Sequence, residues 1–424
     1  MKAQLQHILE DYPGGQLLSE ALQNAEDSGA TEFGLLLDLR NHPQEDAAIT
    51  GPAFVLFDDG SGFGGREWKS LQNLHVSEKR NSPREIGQYG MGSRSYFHYS
   101  DVSMVVSRGK YVGIDPLQIV QSEGREGGGW ELDLGSTAGT PVNTEAQRLF
   151  ALPPHVSSAF DMLERGAMFR LPLRRAEDVA REESTDLGVL GPEISTARAD
   201  ELLSDWAESA SRLLLFLQSV TRVAIWRWAE GAVEPECIAK VDKRYLHGGP
   251  FPRLPVALPL DVTESYRTLR AYIQQMSTEA REQMSEAATA VFEISTSGGG
   301  AGNASWSDGD IVRGGNASGS GSDVGCVHEI WMVVQRFDLV TTELLEAIEQ
   351  GCEAVPSLGI AVPLHAAEDQ HKGVPYCALP IGALRTNLPI HINGSFAPTP
   401  NRRELWLPNA DLDGKHARMA SWNG

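Results

Sequence analysis

The stretch Leu17-Leu18-Ser19-Glu20-Ala21-Leu22-Gln23-Asn24-Ala25-Glu26-Asp27 decides how this chain is read. It closes a run of helical periodicity from Leu5 to Asp27 that is interrupted at Pro13 to Gly15. At ~100° per residue, Glu20, Asn24 and Asp27 fall within roughly 60° of one another on one helix face. Leu17, Leu18, Ala21, Leu22 and Ala25 occupy the other side, which suits packing on a sheet. An Asn amide oxygen is a hard ligand for Mg²⁺, and a carboxylate one turn earlier is placed to orient or deprotonate an attacking water. An ordinary solvated helix face is the alternative reading.

Two further boxes follow. Phe57-Asp58-Asp59-Gly60-Ser61-Gly62 is a buried-strand signal ending in carboxylates and glycines. A carboxylate at a strand end accepts a hydrogen bond from an adenine amino group, and Gly60 and Gly62 let the base approach the backbone; a plain strand-to-loop turn would look the same. Ile86-Gly87-Gln88-Tyr89-Gly90-Met91-Gly92-Ser93 then precedes a helix signal. Glycines at that spacing expose backbone N–H groups, and a helix N-terminus adds a positive dipole, so the pair can cradle phosphates. The spacing is not the dinucleotide fingerprint G-x-G-x-x-G, and no G-x-x-x-x-G-K-[ST] occurs, which removes the P-loop class.

Working outward, strands are predicted at Phe33 to Asp38, Ala53 to Phe57, Val102 to Val106, Tyr111 to Ile114, Trp130 to Leu134 and Met168 to Leu173. Their alternation with helix signals predicts an α/β (α+β) sandwich. Arg66 to Arg84 is polar and reads as partly mobile. Helical spacing from Asp200 to Val220 and strand alternation from Val223 to Trp228 open a second α/β unit, with a further helix expected between Glu264 and Ala287. The segment at about 297–325 is dominated by Gly, Ser, Asn and Asp and is expected to be a disordered insertion. Strands are predicted again at Glu329 to Gln335, Ile360 to Pro363, Tyr376 to Pro380 and Pro389 to Asn393.

The chain has 424 residues, of which 41% are hydrophobic, enough for two or three cored domains. Its net charge of -21 repels phosphate backbones and anionic lipid heads, which argues against a nucleic-acid or membrane-surface role. No apolar run approaches the ~20 residues of a membrane span, and no signal segment opens the chain. The four cysteines, Cys237, Cys326, Cys352 and Cys377, form no C-x-x-C pair and read as reduced thiols in a cytoplasmic setting.

The three boxes, in this order between Glu20 and Gly92, resemble the GHKL ATPases, the class of the ninety-kilodalton heat-shock chaperones. The wording is close to the sacsin repeat: Leu9 to Gly15, Leu22 to Thr31, Gly51-Pro52, Asp115-Pro116, Phe169 to Arg174, Gly359 to Val362, Leu388 to Phe396 and Asn401 to Trp406. The resemblance implies a Bergerat-fold two-layer sandwich over residues 1–180 and a second α/β segment over 181–424. It implies ATP and Mg²⁺ as cofactors, with Glu20 as catalytic base, Asn24 as metal ligand and Asp58 as adenine reader. Asp27 would line the pocket, Gly87, Gly90 and Gly92 would hold the phosphates beneath a lid, and Lys79 would touch the terminal phosphate. Arg402 or Arg403 would serve as a γ-phosphate sensor.

Two departures stand out. Family members carry Gly-Thr before the Phe-Arg strand where this chain has Gly166-Ala167, and Ser93-Arg94 replaces a bulkier pair. The chain also begins close to the nucleotide helix and stops where sacsin-like sequences continue, which implies a fragment or a minimal paralogue. The function expected is a chaperone or co-chaperone ATPase acting on protein clients or other chaperones; a non-hydrolysing, nucleotide-dependent interaction module is the alternative.

Overall fold

The computed structural model describes residues 9, 17–72, 92–120, 128–134, 144–156, 164–183, 190–250, 288–298, 326–337, 357–365, 373–377, 379–381, 384–394, 396 and 405. Lys79, Gly87, Gly90, Arg402, Arg403, the helix expected near 264–287 and residues 299–325 of the expected insertion lie outside these. Two compact units emerge: Met1–Ala210 with Ser219–Val241 and Thr296–Cys326, and Ser211–Gln218 with Asp242–Ser295 and Val327–Gly424.

The first unit is a mixed α/β structure. Its strands are β1 (Glu32–Asp38), β2 (Ala53–Asp58), β3 (Ser103–Ser107), β4 (Lys110–Ile114), β5 (Gly129–Asp133), β6 (Ala167–Pro172) and β7 (Arg222–Trp228). They lie in the order β7-β1-β2-β6-β3-β4-β5. The pair β1/β7 is parallel and the remaining neighbours are antiparallel. Its helices are α1 (Leu17–Asp27), α2 (Gly65–Gln72), α3 (Thr144–Phe150), α4 (Ala176–Glu183) and most of α5 (Thr196–Leu213), with a 3-10 helix at Gly92–His98.

Strand alternation sorts the core into two faces. Val55, Phe57, Met104, Val106, Met168, Ala224 and Trp226 join one apolar cluster that includes Leu149 and Phe150 of α3. Phe54 and Leu56, pointing the other way, are buried too, and Phe54 meets Trp206 of α5 at 5.2 Å. Asp58 follows Phe54 and Leu56 in the period of two and so shares their face.

On the α3 face a fully buried Arg170 donates to Asp38 at 2.7 Å and to the Gly51 carbonyl at 3.1 Å. Burial would raise the Asp38 carboxyl; the His42 hydrogen bond and the Arg170 and Arg40 guanidiniums override it and hold the group well below the usual carboxylate range.

The second unit carries the end of β8 (Glu236–His247), most of β9 (Ala288–Ser297), and β10 (Val327–Phe337), β11 (Ser357–His365), β12 (Pro375–Cys377), β13 (Leu379–Pro380) and β14 (His391–Gly394). Its core includes Phe216, Phe292, Ile294, Trp331, Val333 and Tyr376. Lys243 is buried and donates to the Leu214 carbonyl at 3.1 Å and the Leu217 carbonyl at 2.9 Å, in the turn that ends α5. A cation at that position complements the helix dipole and satisfies carbonyls that the helix leaves open.

The expected helix to Val220 therefore stops at Leu213, and the expected strand Tyr376 to Pro380 is two strands, paired antiparallel through Tyr376 and Pro380.

Candidate functional site

Helix α1 buries Leu17, Leu18, Ala21, Leu22 and Ala25, as its spacing requires, and leaves Glu20 and Asn24 half-buried and Asp27 exposed. It ends in a Schellman turn: Gly29, at φ 73°, donates to Glu26 O at 3.0 Å, and Ala30 N donates to Ala25 O at 2.9 Å. The chain turns directly into β1, which sets the last turn of α1 beside the end of β2.

Asp59 ties that junction. Its carboxylate accepts from Thr31 N at 2.7 Å, Glu32 N at 2.8 Å and Thr31 Oγ1 at 2.8 Å, and from Arg165 Nη2 at 2.9 Å. Ser61 N also donates to Ser28 O at 3.1 Å. At the other edge of α1, Glu26 accepts from Ser219 N at 2.9 Å and Val220 N at 2.9 Å, just before β7.

Of the two adjacent carboxylates, Asp59 is thus spent on structure and Asp58 is not. Asp58 Oδ1 accepts from Gly60 N at 2.8 Å and from Ser28 Oγ at 3.4 Å. Among the described residues Oδ2 accepts no hydrogen bond, which leaves it for a donor from outside. Burial, with the neighbouring Asp59 charge adding to it, outweighs the Gly60 and Ser28 hydrogen bonds and pushes the Asp58 carboxyl up to about 7. The side chain is nevertheless half-buried rather than sealed.

Gly60 and Gly62 are held to glycine by close approach. A Cβ on Gly60 would lie 1.9 Å from Ser28 Oγ, and one on Gly62, at φ +70°, would lie 2.8 Å from Gly166 O. The register places Ala167 directly opposite Asp58 on β6, so the substituted position does flank the carboxylate.

Gly92 opens the 3-10 helix, and four residues on comes Tyr96, which no reading of the boxes had singled out as a site residue. Its ring is 1% exposed and meets Phe169 at 5.2 Å. The 3-10 helix packs against α1, the helix that carries Glu20 and Asn24. Burial pushes the phenol well above its ordinary range. An aromatic pair after a glycine box was the available signal; the helix it packs against lies far upstream.

Arg174, just past β6, holds the exit of this 3-10 helix. Fully buried, it donates to Phe97 O at 2.7 Å, His98 O at 3.1 Å, Ser100 O at 3.4 Å and Asp101 Oδ1 at 2.7 Å.

Among the described residues no cluster of three or more His, Cys, Asp or Glu side chains is arranged to hold a metal ion. A Mg²⁺ that arrives with a nucleotide needs only one or two protein oxygens, because phosphates and waters supply the rest. The half-buried Asn24 on α1 carries a side-chain oxygen of that kind. Among the described residues no disulfide joins Cys237, Cys326 and Cys377, and no helix is long and apolar enough to cross a membrane.

Comparison with known proteins follows the same lines. Residues 1–240 match the family described as the sacsin domain. The chain is 27% identical over 444 aligned residues to human sacsin, covering 99% of this chain and 9% of that much longer protein. Among solved structures, a crystal structure of the N-terminal domain of a DNA repair protein aligns over 98% of this chain and 94% of its own, at 7% identity and a TM-score of 0.39. With a family model covering more than half of its length, the chain belongs to the sacsin domain family.

Proposed function

We propose that the first unit binds ATP with Mg²⁺ in a Bergerat-type site and hydrolyses it slowly, as the nucleotide-dependent part of a chaperone-class protein that acts on protein clients. The observation that supports this reading is the junction of two elements: Ser28, just past the helix that carries Glu20 and Asn24, donates to Asp58 at the end of β2 at 3.4 Å, and Ser61 N donates to Ser28 O at 3.1 Å. Asp58 Oδ2 accepts the adenine amino group, and the close-packed glycines keep side chains out of the way of the base. Asn24 offers its amide oxygen to the metal, and Glu20, one turn earlier on the same face, orients and deprotonates the attacking water. Mg²⁺, when bound, neutralises phosphate charge. Asp27, Lys79, Gly87, Gly90 and Gly92 complete the proposed phosphate end.

A non-hydrolysing interaction module is the second reading, favoured by Ala167 opposite Asp58 where the family carries a hydroxyl. The two are separated by phosphate release beside binding. The ATPase reading expects Glu20→Ala to keep ATP binding and to lower phosphate release by about 100-fold or more, the share a general base contributes. Release unchanged by Glu20→Ala contradicts it; binding without any release by the wild type selects the second reading.

A further inference from the structure

A carboxylate aims one oxygen at a base only if its other oxygen is held, because the group otherwise turns freely about its own axis. At Asp58 the held oxygen is Oδ1. It accepts from Gly60 N at 2.8 Å and from Ser28 Oγ at 3.4 Å, whereas Oδ2 accepts no hydrogen bond among the described residues. Ser28 is itself anchored through its backbone: its N donates to Asn24 O at 3.0 Å, and its O accepts from Ser61 N at 3.1 Å. The loop after β2 fits around its hydroxyl, since a Cβ on Gly60 would lie 1.9 Å from Ser28 Oγ and 2.9 Å from Asp58 Oδ1. A hydroxyl carries one hydrogen, and Ser28 Oγ also lies 2.8 Å from Ala25 O. That carbonyl already accepts from Ala30 N at 2.9 Å in the turn that ends α1. The helix therefore keeps its closing bond whichever way the hydroxyl turns, and a bond to an ionised carboxylate is roughly twice as strong as one between neutral groups.

We propose that Ser28 is a positioning residue for Asp58: together with Gly60 N it holds Oδ1, so that Oδ2 is the acceptor offered to the base, and the site thereby selects a 6-amino purine over a 6-oxo one. This rests on the ATP reading above and deepens it by assigning part of the base preference to a residue outside the three boxes. An amino group at C6 of the base donates to Oδ2, whereas a 6-oxo group sets a second acceptor against it; specificity is that difference. Removing the Ser28 hydroxyl leaves Gly60 N alone on Oδ1 and loosens the aim of Oδ2. The 6-oxo nucleotide never made the bond and so loses nothing.

The test is equilibrium binding of ATP and of inosine triphosphate, each with Mg²⁺, to the whole chain, wild type beside Ser28→Ala. The two nucleotides share ribose and phosphates and differ only at the edge of the base that Oδ2 would read. Wild type is expected to prefer ATP. Ser28→Ala is expected to weaken ATP binding by about 2- to 5-fold, the lower part of one hydrogen bond's range for a contact of this length, and to leave inosine triphosphate unchanged. An unchanged preference for ATP overturns the proposal, as does an equal loss for both nucleotides, which a role confined to closing the end of α1 would produce. Wild type that binds both nucleotides equally defeats this inference and leaves triphosphate binding standing; wild type that binds neither defeats the ATP reading and this inference with it. Should Ser28→Ala fail to fold, Ser28→Cys keeps an atom at the γ position and replaces the hydroxyl by a weak donor, and an unchanged preference for ATP there is equally decisive against it.

Discussion

At the scale of single residues, Asp58 carries the cost of a carboxylate taken out of water. Its carboxyl stands at about 7 in the folded chain against an ordinary 3.8. A carboxyl whose folded pKa is raised contributes stability that is complete below the unfolded value and lost as pH rises through the folded one. The free protein should therefore lose this stability between pH 3.8 and about 7. Asp58→Asn is expected to raise the unfolding free energy at pH 8 by roughly 1–2 kcal/mol, reduced from full linkage by partial solvent access, and to give no gain at pH 4. The same variant should lose ATP affinity, so thermal unfolding and titration move in opposite directions. Across the strand pair, Ala167→Thr restores a hydroxyl opposite Asp58 and should tighten ATP binding by about 2- to 10-fold, one hydrogen bond's worth, measured by calorimetry. The candidate carboxylate and amide were legible at this scale because their spacing is local. Tyr96 was not, since the packing of the 3-10 helix against α1 joins segments that no sequence window contains. Nor could sequence say which of Asp58 and Asp59 is structural; the four bonds to Asp59 decide that.

At the scale of elements, the 3-10 helix depends on one buried guanidinium. Arg174 satisfies four backbone carbonyls, those of Phe97, His98, Ser100 and Pro192, together with Asp101. Arg174→Ala is expected to cost about 3–5 kcal/mol in urea unfolding, since it leaves Asp101 buried without its partner. Arg174→Lys should recover little, because an ammonium cannot reproduce the planar fork. Most strands of the first unit were legible: expected Phe33 to Asp38 and Ala53 to Phe57 against observed Glu32–Asp38 and Ala53–Asp58, for example. The exceptions have physical causes. β8 went unread because its inward positions Ala239, Val241 and Lys243 end in a lysine, whose burial is justified only by the carbonyls it reaches in the α5 turn. The short helix α2 lies in a polar stretch whose composition argues against it; Glu67 supports its start by accepting from Gly64 N at 2.8 Å.

At the scale of the whole molecule, the net charge of -21 disfavours phosphate-backbone contacts, in keeping with the protein clients proposed above. The chain aligns with 9% of the length of human sacsin, so the nucleotide reading is tested on this chain itself. Its two-unit division could not be read from composition, because strands β8 and β9 contribute residues to both units. The central claim is that Asp58, Asn24 and Glu20 form one ATP site. The direct measurement is calorimetric titration of Mg²⁺–ATP into the folded chain beside Asn24→Ala and Asp58→Ala. The account predicts saturable one-to-one binding by the wild type that both substitutions abolish; no heat of binding from well-folded wild type, or binding that survives both substitutions, contradicts it.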